Sequence, residues 1–568
     1  MPAKTKSYCG SRRLSFYQLA GLGIVGWLGL PGSLQASELL ASDGASNDRF
    51  GGSVSLSGQQ ALVGAILDDD SGTSSGSAYF FKGLDTAGAS VTQNTKLTAS
   101  DGAASDEFGF SVSLSGNQAL VGAGGDDDNG FNSGSAYFFK DLDTAGASVT
   151  ENTKLNASDG AASDLFGSSV SLSGNQALVG ADRDDDNGSS SGSAYFFKSL
   201  NTAGASVTQN TKLTASDGAG SDLFGFSVSL SGNQALVGAR LDDDSGSDSG
   251  SAYFFKDLDT AGASVTEDVK LTASDGAASD LFGDSVSLSG NQALVGAARD
   301  DDNGSNSGSA YLFKDLDTAG ANVTEDVKLT ASDGVADDLF GSGVALDGDR
   351  FLIGALRGDG AVADSGKAYS GTVSSVTTLD EGNASRRIDG ISFVSQVDWI
   401  VGENTDFNEV TLGADDAADV TAAGKAVYLG QNAGSDGNTL ILEGSLTATE
   451  VRIGSESGNA GNTLQIAATG SGFDVAVFYL AADNFLEIEG DFTTAGDLLT
   501  YLDDSDLMVE NGSGLFEQLT SGNFASLVAT SFDGSFTSVS AVPEPASFSL
   551  LAGLLGLFRI ALRRRARA

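Results

Sequence analysis

Along most of the chain, polar and apolar residues follow one short cycle. Ser53 to Gly58 (SVSLSG) alternates them strictly, Gln60 to Ala65 (QALVGA) and Ser77 to Lys82 (SAYFFK) are compact apolar runs, and Lys96 to Ser100 (KLTAS) follows a loop of small residues. Strict alternation marks a strand with one buried face, and short apolar runs between Gly, Ser and Asn mark strands buried on both faces. The cycle predicts four strands and no helix. It recurs every 58 residues, each copy opening on a Phe-Gly pair at Phe50, Phe108, Phe166, Phe224, Phe282 and Phe340.

Four short strands cannot bury both faces of their own sheet, so repetition at this period predicts an all-β array of equivalent sheets packed face to face around an axis, a β-propeller. Leu39 to Gly44 (LLASDG) matches Leu97 to Gly102 (LTASDG). A fourth strand thus precedes the first full copy, placed to complete the last sheet and tie the ring shut. Six blades over residues 37–379 are expected, with a degenerate seventh from 380–430 or an open β-solenoid of the same units as the alternatives. The Phe-Gly pairs, with Val63-Gly64-Ala65, Val121-Gly122-Ala123 and their equivalents, resemble FG-GAP repeats, such as those of the integrin α-subunit propeller and of many bacterial surface proteins. The resemblance implies a propeller used for binding at the cell surface.

Composition fits short strands joined by tight turns, with 77 Gly and only 4 Pro. It also narrows the chemistry. The formal net charge of −46 repels nucleic acid. Histidine is absent and Cys9 is the single cysteine, which removes Ser-His-Asp and Cys-His nucleophiles and the common zinc sites. Catalysis would have to rest on carboxylates, as in a glycoside hydrolase or lyase, yet near-identical blades offer no one cleft where unlike residues converge.

The two ends read as export signals. Residues 1–36 have a basic start, an apolar run from Leu19 to Leu30, a breaker at Pro31-Gly32 and small Ala36, which is the pattern of a secretory signal peptide. At the other end, 541–568 carries Pro543-Glu544-Pro545, an apolar stretch from Phe548 and an arginine cluster. This resembles the PEP-CTERM sorting signal, which implies an exosortase-type processing enzyme, transient residence in the membrane, and the envelope of a Gram-negative bacterium. The apolar stretch is shorter than the ~20 residues of a permanent span.

Five copies carry an aspartate triplet at one phase, so that all would lie on one face. Within them Asp68 and Asp70, Asp126 and Asp128, Asp184 and Asp186, Asp242 and Asp244, and Asp300 and Asp302 are candidate Ca2+ ligands, hard oxygen donors on Gly-Ser loops. The alternative is a solvated turn that protects an edge. The sixth copy reads Leu356-Arg357-Gly358-Asp359-Gly360, which interrupts the series. No catalytic residue is assigned.

Residues 380–540 lose the period but stay rich in β-formers. Val427 to Leu440 is echoed 24 residues on by Val451 to Leu464, with Gly-Asn-Thr-Leu at the same place in both, which suits one coil of a parallel β-solenoid serving as a spacer. Trp399, Tyr428 and Tyr479 are either carbohydrate contacts or core. The function expected is an exported, non-catalytic surface or matrix protein whose propeller face binds polysaccharide or another surface protein, with a carboxylate-dependent glycosidase or a structural coat protein as the alternatives.

Overall fold

The computed structural model describes residues 38–84, 90–360 and 364–373, and between 378 and 541 the strands with a few flanking residues. The expected signal peptide, and Pro543, Glu544 and Pro545, lie outside the described residues.

The six copies form six blades of a β-propeller arrangement. In the first, Phe50–Ser57, Gln60–Ala65, Ser77–Lys82 and Thr95–Thr98 pair antiparallel in that order. A two-residue turn joins the first two strands, with Gly58 at φ 57°. The alternation in SVSLS divides two tasks. Val112 and Leu114 bury against the preceding blade. The serines point the other way, so that Ser53, Ser55 and Ser57 Oγ accept hydrogen bonds from the amides of Val112 (3.0 Å), Leu114 (2.9 Å) and Gly116 (2.9 Å) in the next blade. The pattern continues to the junction of the fifth and sixth blades, where Ser285, Ser287 and Ser289 serve Val344, Leu346 and Gly348; at the fourth and fifth, Ser227 Oγ donates instead to Gly283 O.

The Phe-Gly and Gly-Ala pairs are where blades touch most closely. Phe224 bridges to Gly192 of the preceding blade, and within its own blade it stands edge-on to Tyr253, with ring centroids 5.3 Å apart, and 6.1 Å from Phe255. A Cβ on Gly180 would meet Gly225 O at 2.0 Å, and Gly225, at φ 92°, has Ser193 O where its own Cβ would stand, at 2.3 Å. Only glycine fits either place.

Two features were not expected. The small-residue loop contains a fifth strand, Ser148–Thr150 in the second copy, which pairs in parallel with Thr95–Thr98 of the blade before it. Neighbouring blades are thus stitched by main-chain bonds as well as by side chains. The strand Glu38–Leu40 pairs with Ser90–Thr92 by the same rule. It does not lie on the sixth blade, which keeps three strands, Phe340–Asp347, Arg350–Ala355 and Lys367–Thr372, and among the described residues no strand of the first blade pairs with one of the sixth.

Among the described residues, 380–430 supply no seventh blade. Ile391–Ser395 pairs antiparallel with Val327–Ala331 of the fifth blade and leads into parallel sheets. The described strands around and beyond it stack largely in parallel, as one coil on the next would. Thr439–Leu442 stacks in parallel on Thr463–Ile466 with Thr439 opposite Thr463, the 24-residue step seen in the sequence. Buried Asn438, Asn462 and Asn484 form a ladder, each side chain bonded to the next over 2.9–3.0 Å. Trp399 is fully buried against Phe393 and belongs to the core; Tyr428 is half-buried.

Candidate functional site

Tyrosine and lysine stand opposite each other in the third and fourth strands of a blade, Tyr137 across from Lys154 in the second. Side chains directly opposite lie on one side of the sheet, and the Lys154 ammonium rests 5.1 Å from the centre of the Tyr137 ring. The triplet loop leaves the second strand just beyond Ala123 and curls back over this pair. Asp126 is buried, and its Oδ1 accepts from Ser135 Oγ (3.0 Å) and from the amide of Asp128 (3.1 Å). Asp127 Oδ1 accepts from the amide of Asn132 (2.7 Å) and so closes the loop on itself.

The acidic groups converge on the lysine. Lys154 Nζ lies 3.2 Å from Asp126 Oδ2, 2.5 Å from Asp128 Oδ2 and 2.7 Å from Asp101 Oδ2. Asp101 comes from the loop of the preceding copy. The Tyr137 hydroxyl is 2.8 Å from Asp126 Oδ2 and 3.1 Å from Asp101 Oδ1. All ten candidate aspartates fall in such clusters. Lys96 meets Asp43, Asp68 and Asp70; Lys212 meets Asp159, Asp184 and Asp186; Lys270 meets Asp217, Asp242 and Asp244; Lys328 meets Asp275, Asp300 and Asp302.

In four of the clusters the carboxylate oxygens lie within 4.8 Å of one another, close enough to hold a metal ion. The position they surround is the one that the lysine ammonium takes. The arrangement sets the charges firmly. Burial alone would lift the Asp101 carboxyl, but its hydrogen bond to Lys154 and that cation's charge hold it below the usual range. Burial alone would lower Lys154, but Asp101, Asp128 and Asp126 hold it above the usual value, so it stays charged. Burial, then the charges of Asp126 and Asp101, push the Tyr137 hydroxyl far up, and it stays protonated. Each cluster thus carries three carboxylates against one ammonium. Repeated at one phase of five blades, this gives one rim of the propeller a strongly acidic lining.

The triplets were legible in the sequence, but their partners were not. Lys96 and its equivalents, Tyr79 and its equivalents, and Asp43, Asp101, Asp159, Asp217 and Asp275 read as ordinary strand and turn residues. Comparison among the copies holds a signal for them. Where the sixth copy has Gly358 and Gly360 in place of the outer aspartates, the chain also has Glu38, not lysine, one period before Lys96.

A second set of aspartates tunes stability. Asp106, Asp164, Asp222 and Asp280 are buried, and each caps an amide three residues back, as Asp106 does for Ala103 at 2.6 Å. Burial pushes all four up to about 6; the capped amide opposes the shift, and in each the charge of a nearby aspartate, Asp126, Asp184, Asp242 or Asp300, adds to it. A raised carboxyl pKa stabilises the fold below its unfolded value of 3.8 and loses that contribution as pH rises through about 6. Asp43, Asp101, Asp159 and Asp217 have lowered values and act in the opposite sense, losing theirs as pH falls below 3.8. Melting temperature is expected to climb as pH drops from about 7 to about 5 and to fall again below about 4. Asparagine at 106, 164, 222 and 280 together reduces the climb, to which buried Asp182 and Glu325 also contribute, and leaves the acid fall; scanning calorimetry across this range reads both.

On the same rim the second and third blades differ from the others. Phe110 and Phe131 are 46% and 69% exposed and flank a pocket of about 270 Å3 lined also by Glu107, Asn132 and Leu165. Phe131 stands in a triplet loop where the other copies have Ser or Thr, at Thr73, Ser189, Ser247 and Ser305.

Six segments, 34–81, 91–139, 149–197, 207–255, 265–313 and 323–370, match the family model described as the FG-GAP repeat, and together they span just over half of the chain. No curated protein matches the chain. Proteins of this family are commonly extracellular or at the cell surface and are typically non-enzymatic. With six matching copies, each folded as a blade, and with Gly-Ala and Phe-Gly glycines meeting at each junction from Gly64 and Gly109 to Gly296 and Gly341, the chain belongs to the FG-GAP repeat family.

Proposed function

We propose that this is an exported, non-catalytic surface or matrix protein whose acidic propeller rim binds extracellular polysaccharide or another surface protein. The observation that carries the reading is the pair Phe110 and Phe131, aromatic side chains exposed beside a pocket among the acidic loops. Sugar rings stack their C–H faces on such aromatics, and a pocket with a few polar groups fixes their orientation. Export is supported by the secretory pattern of residues 1–36 and by the Pro543-Glu544-Pro545 tail, for which an exosortase-type enzyme is the fitting processing partner.

A non-catalytic role is supported by how the carboxylates are used. In every complete cluster they are bonded to lysine, tyrosine or backbone amides, and five near-copies of one arrangement divide no acid from base. Calcium enters this reading only as a competitor of the lysine ammonium. Binding of the full chain to a glycan array, with and without EDTA, tests the function. Retention of a neutral or cationic polysaccharide, lost in Phe131→Ala at unchanged melting temperature and indifferent to EDTA, is the expected result. Turnover of a glycan would favour the hydrolase or lyase reading, and absence of all binding the coat protein.

A further inference from the structure

Among the described residues the sixth blade has three strands, and the strand Glu38–Leu40 belongs to a sheet of two. In the five complete blades the third strand pairs on its outer side with a fourth, as Ser77–Lys82 does with Thr95–Thr98. Lys367–Thr372 is the third strand of the sixth blade and ends its sheet. By phase and by its parallel pairing with Ser90–Thr92, Glu38–Leu40 is a fourth strand, and among the described residues no third strand pairs with it.

The two halves match in chemistry. Every other fourth strand brings a lysine to two triplet aspartates. Here Glu38 stands in the lysine's place and Gly358 and Gly360 stand in the place of the aspartates, so no carboxylate of the triplet would face the glutamate. A cation stands on the other half, for Lys367 replaces the serine found at Ser77, Ser135, Ser193, Ser251 and Ser309, and it already pairs with Asp333 of its own chain. In the register of the complete blades Leu39 would lie opposite Ala368 and Glu38 opposite Tyr369, with Lys367 diagonal to Glu38 and within reach of it.

Both surfaces are uncovered. Val54 and Leu56 are 68% and 69% exposed, whereas their equivalents Val112 and Leu114 are each 6% exposed against the preceding blade. Leu352 is 49% exposed, whereas Leu294 one blade earlier is fully buried. Since among the described residues Glu38–Leu40 pairs with no strand of its own sixth blade, we propose that the sixth blade is completed by Glu38–Leu40 of a second copy, whose Val54 and Leu56 then cover Leu352. The contact joins unlike surfaces, head to tail, and a heterologous contact of this kind extends into open chains unless its rotation closes a ring. It repeats the packing that already joins neighbouring blades within one molecule.

The test uses the full chain with Cys9→Ser, which leaves no other thiol. Leu40→Cys and Lys367→Cys are made singly, mixed and oxidised; since neither alone can bridge within one molecule, a disulfide-linked heterodimer is expected. A mixture that gives no heterodimer, while the double variant closes a disulfide within a monomer, overturns the proposal in favour of closure within one chain. Sedimentation of the unaltered chain guards against misfolded variants. Mass rising with concentration supports the proposal, and a monomer at all concentrations overturns it.

Discussion

Gly180→Ala is expected to unfold the third blade from the fourth. Its Cβ would stand 2.0 Å from Gly225 O, main chain that cannot turn aside as a side chain would, and Gly225 is itself fixed by Ser193 O at 2.3 Å. Overpacking of this kind costs about 3 kcal/mol. In a stacked array each blade holds only its neighbours, so the loss falls on one junction. Hydrogen exchange would show it as faster exchange at Val228 and Leu230, whose amides bond to Ser169 and Ser171 across that junction. Gly174→Ala is a control of different cause, a positive-φ turn glycine at 56° with no atom within 4 Å of an added Cβ. It should cost about 1 kcal/mol and leave the junction closed.

Lys212→Met is expected to cost about 3 kcal/mol, at the low end for removing one partner of a buried ion pair, because Asp159 and Asp186 remain half-exposed and partly screened. What remains is buried Asp184 facing two carboxylates with no cation. Adding Asp159→Asn and Asp186→Asn should recover most of the loss, since the penalty lies in unbalanced charge and not in lost packing. If Lys212→Met melts like the unaltered chain, the ammonium is not what holds the cluster together. The same variant should gain affinity for Ca2+, because three carboxylate oxygens within 4.8 Å then surround an open position.

How much of this was legible follows from which residues repeat and how. Strand identity was, because SVSLS, QALVGA and SAYFF each carry their burial pattern in their own letters. The Phe-Gly and Gly-Ala pairs announced the blades, though not that Gly180 and Gly225 meet each other across a junction. The fifth strand, Ser148–Thr150, was hidden because its three residues pair with the preceding copy and bury almost nothing. The cation of each cluster was hidden for a related reason: Lys154 lies 26 residues from Asp128 and 53 from Asp101, and only the register of the third and fourth strands brings them together. In the parallel sheets the 24-residue echo showed two rungs of the asparagine ladder. The third, Asn484, follows after 22 residues and escaped a search at fixed period.

The account rests on the lysine ammonium standing where a divalent ion would otherwise sit. Thermal unfolding of the unaltered chain in EDTA and in millimolar Ca2+ tests it most directly. A ligand that binds only the folded state raises stability by about 2.7 kcal/mol at a hundred times its dissociation constant. Superimposable melting curves are what five lysine-filled clusters predict, with a calcium-dependent rise confined to Lys212→Met. A clear rise in the unaltered chain would contradict it.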